Sequence, residues 1–186
     1  MEGNEHLILA FVGMPGAGKT EASAYLRTKG LPIIRFGDLT DEGLSEMHLP
    51  VNPQNEAMFR EKIRQELGMA AYAIKAKPKI DALLQANPLI ILDGVYSWEE
   101  YVYLLKTYQN LKIIHIFAQP AVRYNRLSVR KVRPFSPTDA RKRDIAEIEN
   151  LHKAGPIAIA DYLIENTGDL SSLHTKIDEL LQVLQK

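Results

Sequence analysis

Apolar residues along this chain follow two rhythms. Continuous runs of strand length, rich in β-branched residues, occur at 7–12, 33–36, 89–92 and 113–117, with a shorter one at 162–165. Runs this uniformly apolar suit a parallel sheet covered on both faces. Between them lie longer amphipathic stretches with recognisable starts. Asn52 followed by Pro53 opens a helix through Met58, Ile63 and Leu67, and Ser136-Pro137 opens another running towards Leu151. Ser97 and Glu100 form a capping box, each side chain satisfying the other's orphan N–H, ahead of a helix over 101–108. Pro78 and Pro88 punctuate the stretch before the third run. The tail 171–185 carries Leu173, Ile177, Leu180, Leu181 and Leu184 at helical spacing. Alternation of strand and helix throughout predicts an α/β fold with right-handed crossovers.

The 186 residues hold 23 Lys+Arg against 23 Asp+Glu and no cysteine. That length is one domain's worth of chain, and no linker or repeat divides 1–186. Without cysteine there are no disulfides, thiolate zinc sites or cysteine nucleophiles. The balanced charge argues against nucleic-acid polymers and membrane surfaces as partners. The acidic start Met1-Glu2-Gly3-Asn4-Glu5 is unlike a signal peptide, and no stretch approaches the roughly 20 apolar residues of a membrane span, so the expectation is a cytoplasmic protein, monomeric or homodimeric. His6, His48, His115, His152 and His174 show no metal-ligand spacing, and His115 reads as a packed strand residue.

One motif is specific. Gly13-Met14-Pro15-Gly16-Ala17-Gly18-Lys19-Thr20 fits G-x-x-x-x-G-K-[ST] in full, after a buried strand and before a helix. Its glycines let the backbone curl so that successive N–H groups point at a phosphate, and the helix N-terminus adds its dipole. Lys19 would reach the β- and γ-phosphate oxygens of ATP and Thr20 would complete a Mg²⁺ shell, giving Gly13, Gly16, Ala17, Gly18, Lys19, Thr20 and Glu21 as the nucleotide-binding set. Asp93, at the end of the third run, is the expected second partner of the magnesium.

The residue after Asp93 is Gly94, where many ATPases place a water-activating Glu, so a ready base for hydrolysis is missing there. A GTPase switch is disfavoured by the absence of D-x-x-G and N-K-x-D. The nearest approach to the latter, Thr175-Lys176-Ile177-Asp178, lies in the amphipathic tail and reads as a solvated helix face. A basic cluster, Arg123, Arg126, Arg130, Lys131, Arg133, Arg141, Lys142 and Arg143, surrounds a loop at 130–137 joining two helices. Guanidinium groups on such a loop could close over a transferring phosphoryl group and expel water, or form a charged solvated face.

With these residues in view, the chain resembles the P-loop nucleoside-monophosphate-kinase and dephospho-coenzyme A kinase superfamily. It looks closest to an adenylate-kinase-related group known mainly from archaea, with G-M-P-G-x-G-K near the start and D-G-V after the third strand. The similarity runs through 13–20, Arg35-Phe36-Gly37-Asp38, 60–68, 92–95, 126–130 and 160–166. It implies a three-layer fold around a five-stranded parallel sheet of order 2-3-1-4-5, an acceptor-binding helical insertion at about 38–78 and a short lid at about 130–139. By the same resemblance Gly37-Asp38 starts the acceptor region, Arg126, Arg130 and Arg133 are lid arginines that clamp phosphates, and Asn166-Thr167-Gly168 passes near the donor adenine. Adenylate kinases continue Gly-Phe-Pro-Arg after the strand-three Asp, and closer relatives carry a basic residue where Tyr96 stands; here the chain reads Gly94-Val95-Tyr96-Ser97, leaving the acceptor's identity open.

Arg60 and Arg64 lie four apart, so they share a helix face that could hold an acceptor phosphate, although Glu56 at i−4 offers Arg60 a simple surface pair. Asn52, Gln54 and Asn55 could read a base edge or cap the helix. The expectation is an ATP- and Mg²⁺-dependent kinase acting on a small nucleotide-like acceptor. Lys19, Asp38, Arg126, Arg130 and Arg133 would be its catalytic groups, Asp38, Arg60, Arg64 and Tyr96 its acceptor contacts, and Thr20 and Asp93 its metal ligands. The competing expectation is an ATP-binding sensor module without a small acceptor.

Overall fold

A computed structural model describes residues 6–131 and 134–184. Among them the chain runs β1 (Leu7–Val12), α1 (Lys19–Thr28), β2 (Ile33–Arg35), α2 (Asp38–Glu46), α3 (Pro53–Leu67), α4 (Ala71–Leu84), β3 (Leu89–Asp93), α5 (Trp98–Thr107), β4 (Leu111–Phe117), α6 (Pro120–Val129), α7 (Pro137–Leu151), α8 (Ala154–Ala158), β5 (Tyr162–Glu165) and α9 (Leu170–Leu184). The five strands form one sheet of order β2-β3-β1-β4-β5, every pairing parallel. Order and parallel sense are those the resemblance implied.

Side chains alternate across the sheet, and the alternation makes two cores. Ile8, Ala10, Val12, Ile34, Ile90, Leu92 and Ile113 face α2 to α5, burying Leu44, Phe59, Tyr72, Ile80 and Leu104. Leu9, Phe11, Ile91, Ile114, Ile116 and Ile164 face α1 and α9, meeting Ala22, Leu26, Leu173 and Ile177. Each central strand is therefore apolar on both sides, which is why its sequence reads as an unbroken run.

The caps read from sequence are present. Asn52 accepts from the Asn55 N–H at 2.9 Å, Ser136 from Asp139 at 3.1 Å, and Ser97 with Glu100 completes a reciprocal box opening α5 at Trp98, three residues ahead of the expected start. Pro78 departs from expectation. It lies inside α4 instead of punctuating it, because the helix buries Tyr72, Ala76 and Ile80, and that packing outweighs the backbone hydrogen bond a proline forfeits. The segment between β2 and β3 thus folds as three helices through Leu84, longer than the expected insertion.

The register sets the stage for chemistry. Phe11 is level with Asp93, Val12 with His115, and Arg35 with Asp93, so β1, β2, β3 and β4 deliver their carboxyl ends to one edge. Chain order reverses at β1, between β3 and β4, and a crevice at such a switch point is where open α/β sheets bind ligands.

Candidate active site

The loop from Gly13 to Gly18 rises from β1 into α1. Gly13, Gly16 and Gly18 have φ of 145°, 78° and 104°. A β-carbon on Gly13 would lie 2.4 Å from the Ile116 carbonyl oxygen, and one on Gly18 would lie 2.2 Å from the Asn166 amide nitrogen. Those glycines are required twice over, by conformation and by space. Lys19 folds back along the loop, its ammonium donating to the Gly13 carbonyl at 2.8 Å and Met14 at 3.4 Å. Burial, and next to it the Lys153 charge, lower its pKa to about 7, against the pull of Asp93 and Glu147. Thr20 and Glu21 are exposed in the first turn of α1.

Two side chains brace this loop from behind. Arg123 of α6 is buried, grips Asp144 of α7 through both terminal nitrogens at 3.0 and 2.7 Å, and donates to the carbonyls of Pro15 and Ala118. Asn166, at the end of β5, donates its amide to the Ala17 carbonyl at 2.8 Å. Arg126, next along the exposed side of α6, donates to the Gly168 carbonyl at 3.2 Å. The basic cluster is therefore not one surface. Arg123 is an internal brace, Arg126 meets the segment expected near the adenine, and Arg130 and Arg143 lie over the Phe135 ring at 5.1 and 5.2 Å. Arg133 lies outside the described residues, as does part of the expected lid.

Asp93 ends β3 almost fully buried, with Oδ2 lacking a hydrogen-bond partner. Burial pushes its pKa up, against the charges of Lys19 and Arg35. A buried carboxylate oxygen with no hydrogen-bond donor, its one ion-pair contact among the described residues a distant Arg35, beside a phosphate loop with an exposed Thr20 hydroxyl, fits a hard divalent cation such as Mg²⁺. Arg35 links this carboxylate, 4.0 Å away, to Asp38 at 3.0 Å, so Asp38 at the head of α2 is exposed and paired rather than free.

The residues expected to contact an acceptor present side chains rather than backbone. Arg60 of α3 pairs with Glu56 at 3.3 Å, as the surface-pair reading allowed. Arg64, one turn on, lies 5.7 Å over the Tyr72 ring and its buried Nε has no hydrogen-bond partner. Tyr96 meets Phe36 and Tyr72 edge-on, and its hydroxyl would stand 2.8 Å from a β-carbon on Gly94. Glu100, the capping-box acid, is wholly buried; it accepts the Tyr96 and Ser97 N–H groups through Oε2, while Oε1 has no hydrogen-bond partner. Burial raises its pKa to about 8 despite the pull of those N–H groups, Arg64 and Lys153.

Sequence reasoning missed Lys153. α7 ends in a left-handed His152 with φ of 52°, and this turn aims Lys153 inward, where it is 3% exposed, bonded to Glu147, and 5.5 Å above the Tyr96 ring. Burial opposes ionisation of Glu147, yet Lys153 and Arg143 hold its carboxylate below the usual range. No spacing rule marks a lysine placed by a single left-handed residue. His115 is half-buried beside Phe117, with its pKa lowered by burial and by Lys19, rather than sealed in the core. The 175–178 segment is helical, with Ile177 buried as expected, but Asp178 bonds Tyr25 at 2.7 Å and Lys29 at 2.9 Å, docking α9 on α1. Among the described residues no three acids or histidines cluster as a metal site, and no helix is long and apolar enough to cross a membrane.

Comparison with known proteins agrees with this geometry. A family model described as an AAA domain matches residues 9–150. A UPF0200 protein of Pyrococcus furiosus is 31% identical over 182 residues, covering 96% of this chain and 97% of its own. A UPF0200 protein of Thermococcus sibiricus is 32% identical over 182 residues, covering 96% and 95%. Among solved structures, shikimate kinase from Bacteroides thetaiotaomicron superposes with a TM-score of 0.62 at 17% identity over 97% of this chain and 99% of that one. A gluconokinase from Sinorhizobium meliloti gives 0.54 at 13% identity, over 97% of each chain. At those identities the likeness is one of fold.

Proposed function

The chain belongs to the UPF0200 family and to the AAA-domain P-loop proteins, with a kinase-type nucleotide-binding fold, and from that premise we propose that it transfers the γ-phosphoryl group of ATP to a small, nucleotide-like acceptor. The observation that carries this reading is the meeting, at one sheet edge, of the phosphate loop, the unpartnered Asp93 oxygen and the Arg35–Asp38 pair, with Gly94 where a water-activating acid would stand.

Lys19 and the loop N–H groups hold the donor phosphates, and Arg123 and Asn166 keep the loop in shape. Thr20 and Asp93 would hold Mg²⁺, which when bound neutralises phosphate charge and orients the donor. An acceptor oxygen forms a bond to the γ-phosphorus as the bond from that phosphorus to the β,γ-bridging oxygen breaks, leaving ADP and a phosphorylated acceptor. If the acceptor is a hydroxyl, its proton passes to a carboxylate, and we assign that role to Asp38, which Arg35 holds near the Asp93 end of β3. Asp38→Asn therefore lowers turnover while ATP affinity stays within about twofold; collapse of ATP affinity with normal turnover would put Asp38 on the wrong side of the reaction.

The deciding experiment measures ADP release at saturating Mg²⁺ and ATP, with and without a panel of nucleosides, nucleotides and coenzyme precursors. A kinase hydrolyses ATP slowly alone and accelerates many-fold with the right acceptor, because the acceptor completes a site from which water is excluded. Rapid hydrolysis indifferent to every acceptor would replace this reading with an ATPase, and tight ATP binding with no turnover would replace it with a nucleotide sensor.

A further inference from the structure

Arg35 stands between the two carboxylates of the proposed reaction, and it treats them differently. β2 is an edge strand that brings Arg35 level with Asp93. Nη1 donates to Asp38 Oδ1 at 3.0 Å, a full hydrogen bond, whereas Nε stands 4.0 Å from Asp93 Oδ2, within ion-pair range but with no hydrogen bond formed. A guanidinium carries five N–H donors. Here Asp38 takes a donor and Asp93 receives only the charge.

That asymmetry has a chemical consequence. Asp93 is 3% exposed, and an ionised carboxylate so buried is costly unless a cation lies near. Arg35 supplies the charge and leaves Oδ2 unbonded, as an oxygen kept for a hard cation must be. Lys19 is the other cation whose field lowers the Asp93 pKa most, yet its ammonium is bonded to the Gly13 and Met14 carbonyls and is the group that the donor phosphates take. Arg35 also has room to withdraw: its side chain is 46% exposed, and it lines a cleft of about 360 Å³ with Asp38, Glu42 and Lys79.

Resting on the phosphotransfer reading, we propose that Arg35 is a placeholder cation for Asp93, a positioning residue that neutralises this carboxylate while no metal is bound and serves Asp38 alone once Mg²⁺ is in place. Arg35 meets Asp93 only through space, so it gives way to a divalent cation without breaking a hydrogen bond, and its bond to Asp38 persists. A nucleotide arriving without metal then meets a neutralised Asp93 instead of a bare negative charge beside its own phosphates. Arg35 therefore matters to nucleotide binding when the metal is absent and little when it is present.

The test is ADP affinity by calorimetry in two arms, one at saturating Mg²⁺ and one in EDTA. In Arg35→Gln the EDTA arm weakens about five- to tenfold, the scale of a unit charge about 4 Å away near the surface, and the Mg²⁺ arm stays within about twofold. Arg35→Lys keeps the charge and recovers part of the loss. Lys79→Gln removes an equal charge from the same cleft, where it is paired to Glu42, and moves neither arm. In an Asp93→Asn background no carboxylate needs neutralising, so adding Arg35→Gln leaves the EDTA arm unchanged. Exposed ion pairs contribute little to stability, so the Arg35 variants fold. Equal weakening in both arms, no loss in EDTA, or the same loss in the Asp93→Asn background overturns the proposal and leaves the phosphotransfer reading standing. So does a wild type that binds ADP with Mg²⁺ and not at all in EDTA. A wild type that binds ADP in neither arm overturns both.

Discussion

The two sides of the crevice solve the problem of binding charge differently. On the donor side the backbone does the work: glycines at φ of 78° and 104° shape the loop, and Arg123 and Asn166 hold its carbonyls in place. On the side proposed for the acceptor the backbone is ordinary helix, and the polar groups are buried side chains, of which Arg64 Nε and Glu100 Oε1 have no hydrogen-bond partner. A backbone site tolerates few residue types but recognises any phosphate. A side-chain site can be specific to one ligand, and polar atoms left unsatisfied without that ligand are a cost of folding.

The sharpest way to break the comparison is to remove the brace and leave the loop. Arg123 and Asp144 are a buried bidentate pair, so Arg123→Met strands a buried carboxylate that, among the described residues, keeps the Tyr124 hydroxyl at 3.0 Å. The expected loss is about 3–5 kcal/mol of stability in urea unfolding, and Arg123→Met with Asp144→Leu recovers much of it because no lone charge remains. A loss under about 1 kcal/mol would mean the loop's own conformation suffices, and the donor side would need no support from α6 and α7.

The same contrast governs what could be read from the sequence. All five strands and the three caps at Asn52, Ser97 and Ser136 were legible because they depend on local pattern and local hydrogen bonds. The phosphate loop was legible because its geometry demands glycine and lysine at set spacing. Pro78 misled because tertiary burial of α4 outweighed a local rule. Arg123 was grouped with the lid arginines, since nothing in a run of basic residues tells which of them turns inward to meet an aspartate 21 positions on. The burial of Lys153 and Glu100 was invisible for the same reason, being set by contacts between elements far apart in sequence.

A smaller effect on folding, though not on function, is expected from Lys19→Ala. Its ammonium caps the carbonyls of Gly13 and Met14, which remain able to meet water, so the fold persists. Turnover should fall on the order of 10²–10³-fold, as for removal of a donor aimed at developing charge. Nucleotide binding and ADP formation matching wild type would mean the phosphates are not held by this loop, and the division of labour between the two sides would collapse.

The finest distinction concerns Glu100, the acid that is both a helix cap and wholly buried beside Tyr96. Its pKa stands at about 8 in the folded protein, raised by burial, against an ordinary value of 4.5. Between those two values the folded state holds a proton that the unfolded state has released. Stability from this group is therefore complete below about pH 4.5 and is lost as pH rises through about 8, with a slope of at most about 1.4 kcal/mol per pH unit. Glu100→Gln keeps an oxygen to accept the Tyr96 and Ser97 N–H groups but cannot ionise. Urea unfolding of both proteins at pH 5, 6 and 7 cancels the contributions of every other group, so the difference between them isolates Glu100. That difference should shift steadily in favour of Gln as pH rises. Parallel profiles would mean that Glu100 stays ionised on folding, held by Arg64 and Lys153, and that this buried acid carries no unmet charge.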